Sequence, residues 1–235
     1  MSSSSERDQV RLKLAERYYD ALQAADLESI YREDHHSGIF LAAPHEAYFS
    51  GGMKVLIVGQ ETREWRSKVC EAKRRQTISL NGVLAWMDNT VCFNLKKPRT
   101  SRFRQFYKST SKRLCTESSD PSNAAVWSNQ FCISYKGSNS VKSPKIEIIK
   151  DLSFRILRAQ FEILKPEIAI FTVGHSRDCY LKKCFPMYKT VEIHEPNRLW
   201  EFMVDDVRCF RTNHPTWGGS YPFLRAAVER ASGNV

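Results

Sequence analysis

The stretch "KVLIVG" (Lys54–Gly59), followed at once by "QETREW" (Gln60–Trp65), decides how the rest of the chain reads. The apolar run is too short for a core helix, is rich in β-branched side chains and has no polar alternation. That is the signature of a strand buried on both faces, the usual state of a parallel strand covered by helices. The run ends at a glycine and hands over to Gln60 and Glu61, two side chains able to do chemistry.

Working outward, "AAVWSNQFCISY" (Ala124–Tyr135), "EIAIFTVG" (Glu167–Gly174) and "DVRCFRTNHP" (Asp206–Pro215) read as three more core strands. Helical patterns lie between and around them. Val10, Leu14, Tyr18, Leu22 and Ile30 recur at roughly helical spacing over 6–33, and a charged helical stretch is expected from Glu64 to Gln76. Over Ile146–Lys165, the residues Ile149, Leu152, Ile156, Phe161 and Leu164 mark one helix face, and Pro166 stops it. "TVEIHE" and "LWEFMV" form a hairpin around "PNR", and "YPFLRAAVERA" closes the chain as a helix. Strands alternating with helices give an α/β fold, expected as a three-layer α/β/α sandwich around a mainly parallel four-stranded central sheet. One domain, 1–235, is expected, with an N-terminal helical extension over 6–33. Ligands of such sheets bind beyond the carboxyl ends of the strands. Here those ends carry Gln60 and Glu61, Asn129, "GHS" (Gly174–Ser176) and "NHPTW" (Asn213–Trp217).

Composition narrows the function. The chain has 235 residues, enough for one large core. No apolar run approaches the roughly 20 residues that cross a bilayer. "MSSSSERDQV" lacks the apolar segment of a secretory signal, so a cytoplasmic or nucleoid-associated protein, not a secreted one, is expected. The seven cysteines are odd in number and scattered, which argues against a disulfide framework. His175, Cys179 and Cys184 fall close together but lack the paired ligands of a metal site, and no metal or cofactor is expected. With 36 basic and 26 acidic residues the net charge is +10, which favours a polyanionic partner, nucleic acid before membrane. "KKPRTSRFRQFYKSTSKR" (Lys96–Arg113) holds eight of the basic residues and no acid, interleaved with Phe103, Phe106 and Tyr107. Lys96, Lys97, Arg99, Ser101, Arg102, Arg104 and Lys108 are therefore candidates for phosphate contact.

From Lys54 to Trp217 the chain resembles the uracil-DNA glycosylase superfamily. That family carries Gly-Gln-Asp-Pro-Tyr after its first core strand and His-Pro-Ser-Pro after its last; "VGQETREW" and "TNHPTW" stand in those places. "CFNLKKPRTSRFRQFYKS" takes the position of the family's aromatic segment, Pro-Ser loop and following helix. "VWSNQFCIS" stands for its asparagine strand, and "LKPEIAIFTVGHS" for its Leu-Lys-Pro strand. The resemblance implies a monomeric DNA glycosylase with no cofactor. Glu61 takes the place of the catalytic carboxylate, stabilising an oxocarbenium-like sugar and orienting water. His214 takes that of the donor to the leaving base. Asn129 would read the base edge, since its amide both donates and accepts. Gln60, Phe93 and Arg63 would complete the pocket, with Phe93 stacking on the extruded base. His175, Thr216 and Trp217 would meet DNA, Trp217 as a wedge on a loop loosened by Gly218 and Gly219. Plainer roles stay open. Glu61 fits a surface charge, Asn129 a partner for buried backbone, Phe93 the core, and Trp217 packing against the last helix. His35, His36 and His45 are not expected to reach the site.

The departures from the family bear on substrate. Glu61 is one methylene longer than Asp. Thr62 and Arg63 replace the Pro-Tyr pair whose tyrosine crowds the 5-position of uracil, and the segment Trp65–Asn89 is longer than in uracil-specific members. A modified, 5-substituted pyrimidine, or uracil, is the expected base. No amine stands at the catalytic positions, so an abasic site is the expected product, in DNA repair or in defence against modified viral DNA. A catalytically inactive, nucleic-acid-binding adaptor has the same basic surface. A nucleotide-binding α/β protein would need a Gly-rich phosphate loop, which is missing.

Overall fold

The computed structural model describes residues 3–32, 35–62, 65, 78–96, 101–137 and 139–233, with the side chains of 3–5 excepted. It is an α/β fold built on one six-stranded mixed sheet. The strands are β1 (Val55–Glu61), β2 (Val126–Phe131), β3 (Ile168–Phe171), β4 (Lys189–Glu195), β5 (Leu199–Val204) and β6 (Val207–Arg211), in the spatial order β2-β1-β3-β6-β5-β4. The helices are α1 (Ser3–Ala24), α2 (Leu27–Tyr31), α3 (Leu80–Leu95), α4 (Arg102–Leu114), α5 (Ile146–Leu164), α6 (Asp178–Cys184) and α7 (Tyr221–Ala231).

The four expected strands are indeed parallel neighbours, β2-β1-β3-β6. The four-stranded count is corrected to six. The hairpin β4–β5 does not stand apart but continues the same sheet antiparallel from β6. The reason is the tight turn at Asp205 and Asp206: Val204 pairs with Val207, so β5 folds straight back along β6. Asp205 takes φ 49°, the left-handed conformation that such turns need and that Asp tolerates. β5 is buried whereas β4, at the sheet edge, is almost wholly exposed, which is why its mixed residues gave no core signal.

Register sorts the faces. Ile57 and Gly59 of β1 lie beside Trp127 and Asn129 of β2, and Trp127 packs on Phe103 and Tyr107 of α4. Val58 lies beside Phe171, which packs on Phe161 of α5. Helices α4 and α5 thus cover opposite faces. The N-terminal helix is part of the outer layer. Leu14, Tyr18 and Leu22 are buried, and the Tyr18 hydroxyl donates to the Ala42 carbonyl at 2.9 Å. α5 ends as its sequence requires, with Lys165 at φ 47° before Pro166. The stretch expected as a charged helix after Glu64 lies outside the described residues, Trp65 excepted. No helix among the described residues is long and apolar enough to cross a membrane.

Phe171 is fully buried and touches the rings of Phe161, Phe185 and Phe202, joining the parallel half of the sheet to the hairpin half. Phe171→Ala should cost about 3–5 kcal/mol of stability, from lost burial and the cavity left behind. Urea denaturation reads it, and a loss below about 1 kcal/mol would deny Phe171 that role.

Candidate functional site

Beyond the carboxyl ends of β1 and β2 lies a cavity of about 590 Å³. Strand β1 runs two residues further than its apolar core, to Glu61, so Gly59, Gln60, Glu61 and Thr62 all line it. β2 adds Trp127 and Asn129, helix α3 adds Phe93, and the start of α4 adds Ser101, Arg102, Phe103 and Arg104. Trp65 and, after β6, His214 and Thr216 close the wall. Of the residues expected from sequence, Gln60, Glu61, Phe93, Ser101, Arg102, Arg104, Asn129, His214 and Thr216 come together here. Lys96 is exposed at the C-terminal end of α3. Lys108 is turned elsewhere, bonded to Asn123 and half-buried, with burial pulling its ammonium below the usual lysine range. Trp217 and His175 line an adjoining cavity. Arg63, Lys97 and Arg99 lie outside the described residues.

The polar groups are held in distinct ways. Gln60 is anchored by its amide, which donates to the Val173 carbonyl at 2.8 Å. His214 Nδ1 lies 3.3 Å from the backbone N–H of Thr216 and accepts from it, and the Thr216 hydroxyl is 2.7 Å away. A neutral ring in that arrangement carries its proton on Nε2. The imidazole stacks nearly parallel to Phe103, centroids 5.9 Å apart at 11°. Asn129 is 5 % exposed; its Oδ1 accepts from Trp127 Nε1 at 3.3 Å, and its Nδ2 is buried without a protein partner. Thr62 Oγ1 is likewise buried and unpartnered. Unsatisfied buried polar atoms are costly, and in a cavity wall they mark places for ligand atoms.

Glu61 is not presented to the cavity unaccompanied. Arg177 Nη2 lies 3.0 Å from its Oε2 and 3.4 Å from its Oε1, and also reaches Asn139 Oδ1 at 3.1 Å. Both side chains of the pair are less than a tenth exposed. Ser140 Oγ stands 3.3 Å from the carboxylate, but its one proton is better placed on the Ile133 carbonyl at 2.7 Å. Between these two groups, Arg177 holds Glu61 the more firmly. Arg104 is also engaged. Its guanidinium covers the Phe93 ring at 4.5 Å and donates to the carbonyls of Phe93 (3.0 Å) and Lys96, closing the C-terminal end of α3. Ser101 caps α4, accepting from the Arg104 N–H at 3.4 Å, and this helix turns its positive end toward the cavity. Trp217, expected on a loosened loop, rests its ring against Gly219, where an added Cβ would come within 2.9 Å. Gly219 is thus a space for the indole. His36 bonds Ser143, and His45 caps the turn Glu46–Phe49. Among the described residues, no group of histidines, cysteines and carboxylates is placed to hold a metal.

Sequence reading set Thr62 beside the base's 5-position but missed Trp65, Phe103 and Trp127 as site residues, and Arg177 as the partner of Glu61. Trp127 was within reach, because alternation puts it on the same face of β2 as Asn129. Arg177 was not: it lies 116 residues from Glu61. No family model matches the chain, and no curated protein is similar to it.

Two substitutions probe this geometry. A Cβ on Gly59 would stand 2.6 Å from Asn129 Oδ1 and 3.1 Å from Phe103. Gly59→Ala should displace both side chains and lower stability by about 1–3 kcal/mol; an unchanged melting curve with unchanged Asn129 amide resonances would contradict that. Arg177→Ala takes a buried guanidinium away from the Glu61 carboxylate and should cost about 3–5 kcal/mol, most of which the Glu61→Gln/Arg177→Met pair recovers. Equal destabilisation in the single and double variants would show that the ion pair does not dominate there.

Proposed function

We propose that this cavity receives a nucleobase extruded from DNA and that the protein hydrolyses its N-glycosidic bond, leaving an abasic site. The observation that carries the reading is convergence. Gln60 and Glu61 at the end of β1, Phe93 of α3, Asn129 of β2 and His214 after β6 come from four separate parts of the chain, and all line one cavity. Trp127, Phe103, Phe93 and Trp65 supply faces on which a flat ring stacks. The unpartnered Asn129 Nδ2 supplies a donor for the base edge. Water attacks the anomeric carbon, the bond to the base nitrogen breaks, and its electron pair leaves with the base. His214 Nε2–H donates to the base oxygen where charge develops. Glu61 lies against the sugar cation and accepts the water proton.

The base is a 5-substituted pyrimidine or uracil. A cavity of about 590 Å³ is within the range of small-molecule sites and is larger than one pyrimidine ring needs. Thr62 and Arg63 stand where the family that the chain resembles carries its Pro-Tyr pair, and Thr62 lines the cavity. Repair, or defence against modified viral DNA, is the role that follows.

One observation favours a second reading, a catalytically inactive nucleic-acid-binding adaptor. The Arg177 guanidinium sits directly on Glu61 and offsets the negative charge that hydrolysis would use. An alkali-cleavage assay on DNA containing uracil or hypermodified bases separates the two. Hydrolysis predicts alkali-labile sites from the wild type, reduced about 10²–10³-fold in His214→Ala and at least as strongly in Glu61→Gln. No labile site on any DNA, with binding intact, would sink the hydrolase and leave the adaptor.

A further inference from the structure

A second cavity, of about 560 Å³, adjoins the first, and Gln60 and His214 line both. Its far wall is the turn between β4 and β5, which the sequence reading left outside the site. That turn is fixed rather than loose. Asn197 takes φ 61°, and its carbonyl accepts from Arg211 Nη1 at 3.0 Å. Arg211 is buried and paired with Asp178 at 2.8 Å, so the turn rests on an element of the core. Arg198, exposed at the turn, holds its guanidinium 5.8 Å from the centre of the Trp217 ring and 5.1 Å from that of Phe223. Trp217 remains 49 % exposed.

Two cavities of similar size thus meet across Gln60 and His214. Each is large enough for a nucleotide-sized group. Cations flank the pair on both sides, Arg102 by the first cavity and Arg198 by the second; His175 and the acidic Glu195 also line the second wall. A ligand filling both must offer two neighbouring flat groups, both unstacked, joined by an anionic backbone. In a duplex that would mean unpairing twice, whereas a single strand has no pairing to lose. Exposed indoles beside cations are the usual platform for single strands.

We propose that the cleft between the β4–β5 turn and Trp217 is a second nucleotide site, and that the protein engages single-stranded DNA two nucleotides at a time. This rests on the reading of the first cavity as a base site, but its test does not depend on base release. A labelled single strand of about 15 nucleotides, and the same sequence as a duplex, are titrated by fluorescence anisotropy over a salt series. The single strand should bind at least about tenfold more tightly. Arg198→Ala should weaken single-strand binding about fivefold and flatten the log–log salt slope by about 0.7, the value of one lost phosphate contact. Arg198→Lys should keep the slope, and neither variant should shift the melting temperature, since Arg198 is exposed. Duplex bound as tightly as single strand, or an Arg198→Ala protein with unchanged affinity and slope, overturns the proposal. Alkali lability is read on the same oligonucleotides. Absence of base release with the Arg198 effects intact rejects hydrolysis and keeps the cleft; base release from duplex alone rejects the cleft.

Discussion

The parallel register of β1 between β2 and β3 is the constraint on which the rest depends. Gly59 is paired with Asn129, and Val58 with Phe171. Because side chains alternate along strands, that register puts Asn129 and Trp127 on the face covered by α4. It also brings Gln60 and Glu61 to the sheet edge where the loop after β6 ends at His214. A slip of one residue would send Trp127 and Asn129 to the α5 face and take both side chains out of the cavity wall. Gly59 makes the fit possible, since only a residue without Cβ leaves room for the Asn129 carboxamide and the Phe103 ring.

Two buried ion pairs stand around the site and do different work. Glu61–Arg177 ties the end of β1 to the short turn after β3. Arg211–Asp178 ties the end of β6 to the start of α6 and, through the Asn197 carbonyl, steadies the hairpin turn. In the second pair, burial pushes Asp178 up and Arg211 down from their ordinary values, desolvation opposing the attraction of each for the other. Such pairs add little net stability for their cost, and their effect is to fix geometry. Geometry is what a site assembled from loops at strand ends lacks otherwise. Arg104 acts in the same spirit at the exposed side, holding Phe93 against the cavity by covering its ring and its carbonyl together.

Much of this was legible in the chain itself. Short continuous apolar runs marked β1 and β3, the signature of strands buried on both faces. Helical spacing and Pro166 marked α5. Four chemically capable residues, Gln60, Glu61, Asn129 and His214, could be named because strand ends are where this class of sheet leaves functional side chains, whereas Phe93, on α3, came from the family resemblance alone. The hairpin's membership of the main sheet could not be read, since β4 is exposed and its composition matches a free ribbon as well as an edge strand. The partner of Glu61 could not be read either, because ion pairing across so many residues leaves no local pattern.

The sequence by itself therefore determined the class of fold, the succession of the core strands along the chain and the polar residues at their ends, since these follow from local periodicity and hydrophobicity. The tertiary structure alone decided that Arg104 holds Phe93, that Arg177 covers Glu61, that Gly219 makes room for Trp217, and that Arg198 reaches a second cavity beside the first. Those are contacts fixed only when register, twist and turn geometry bring the groups within a few ångströms of each other.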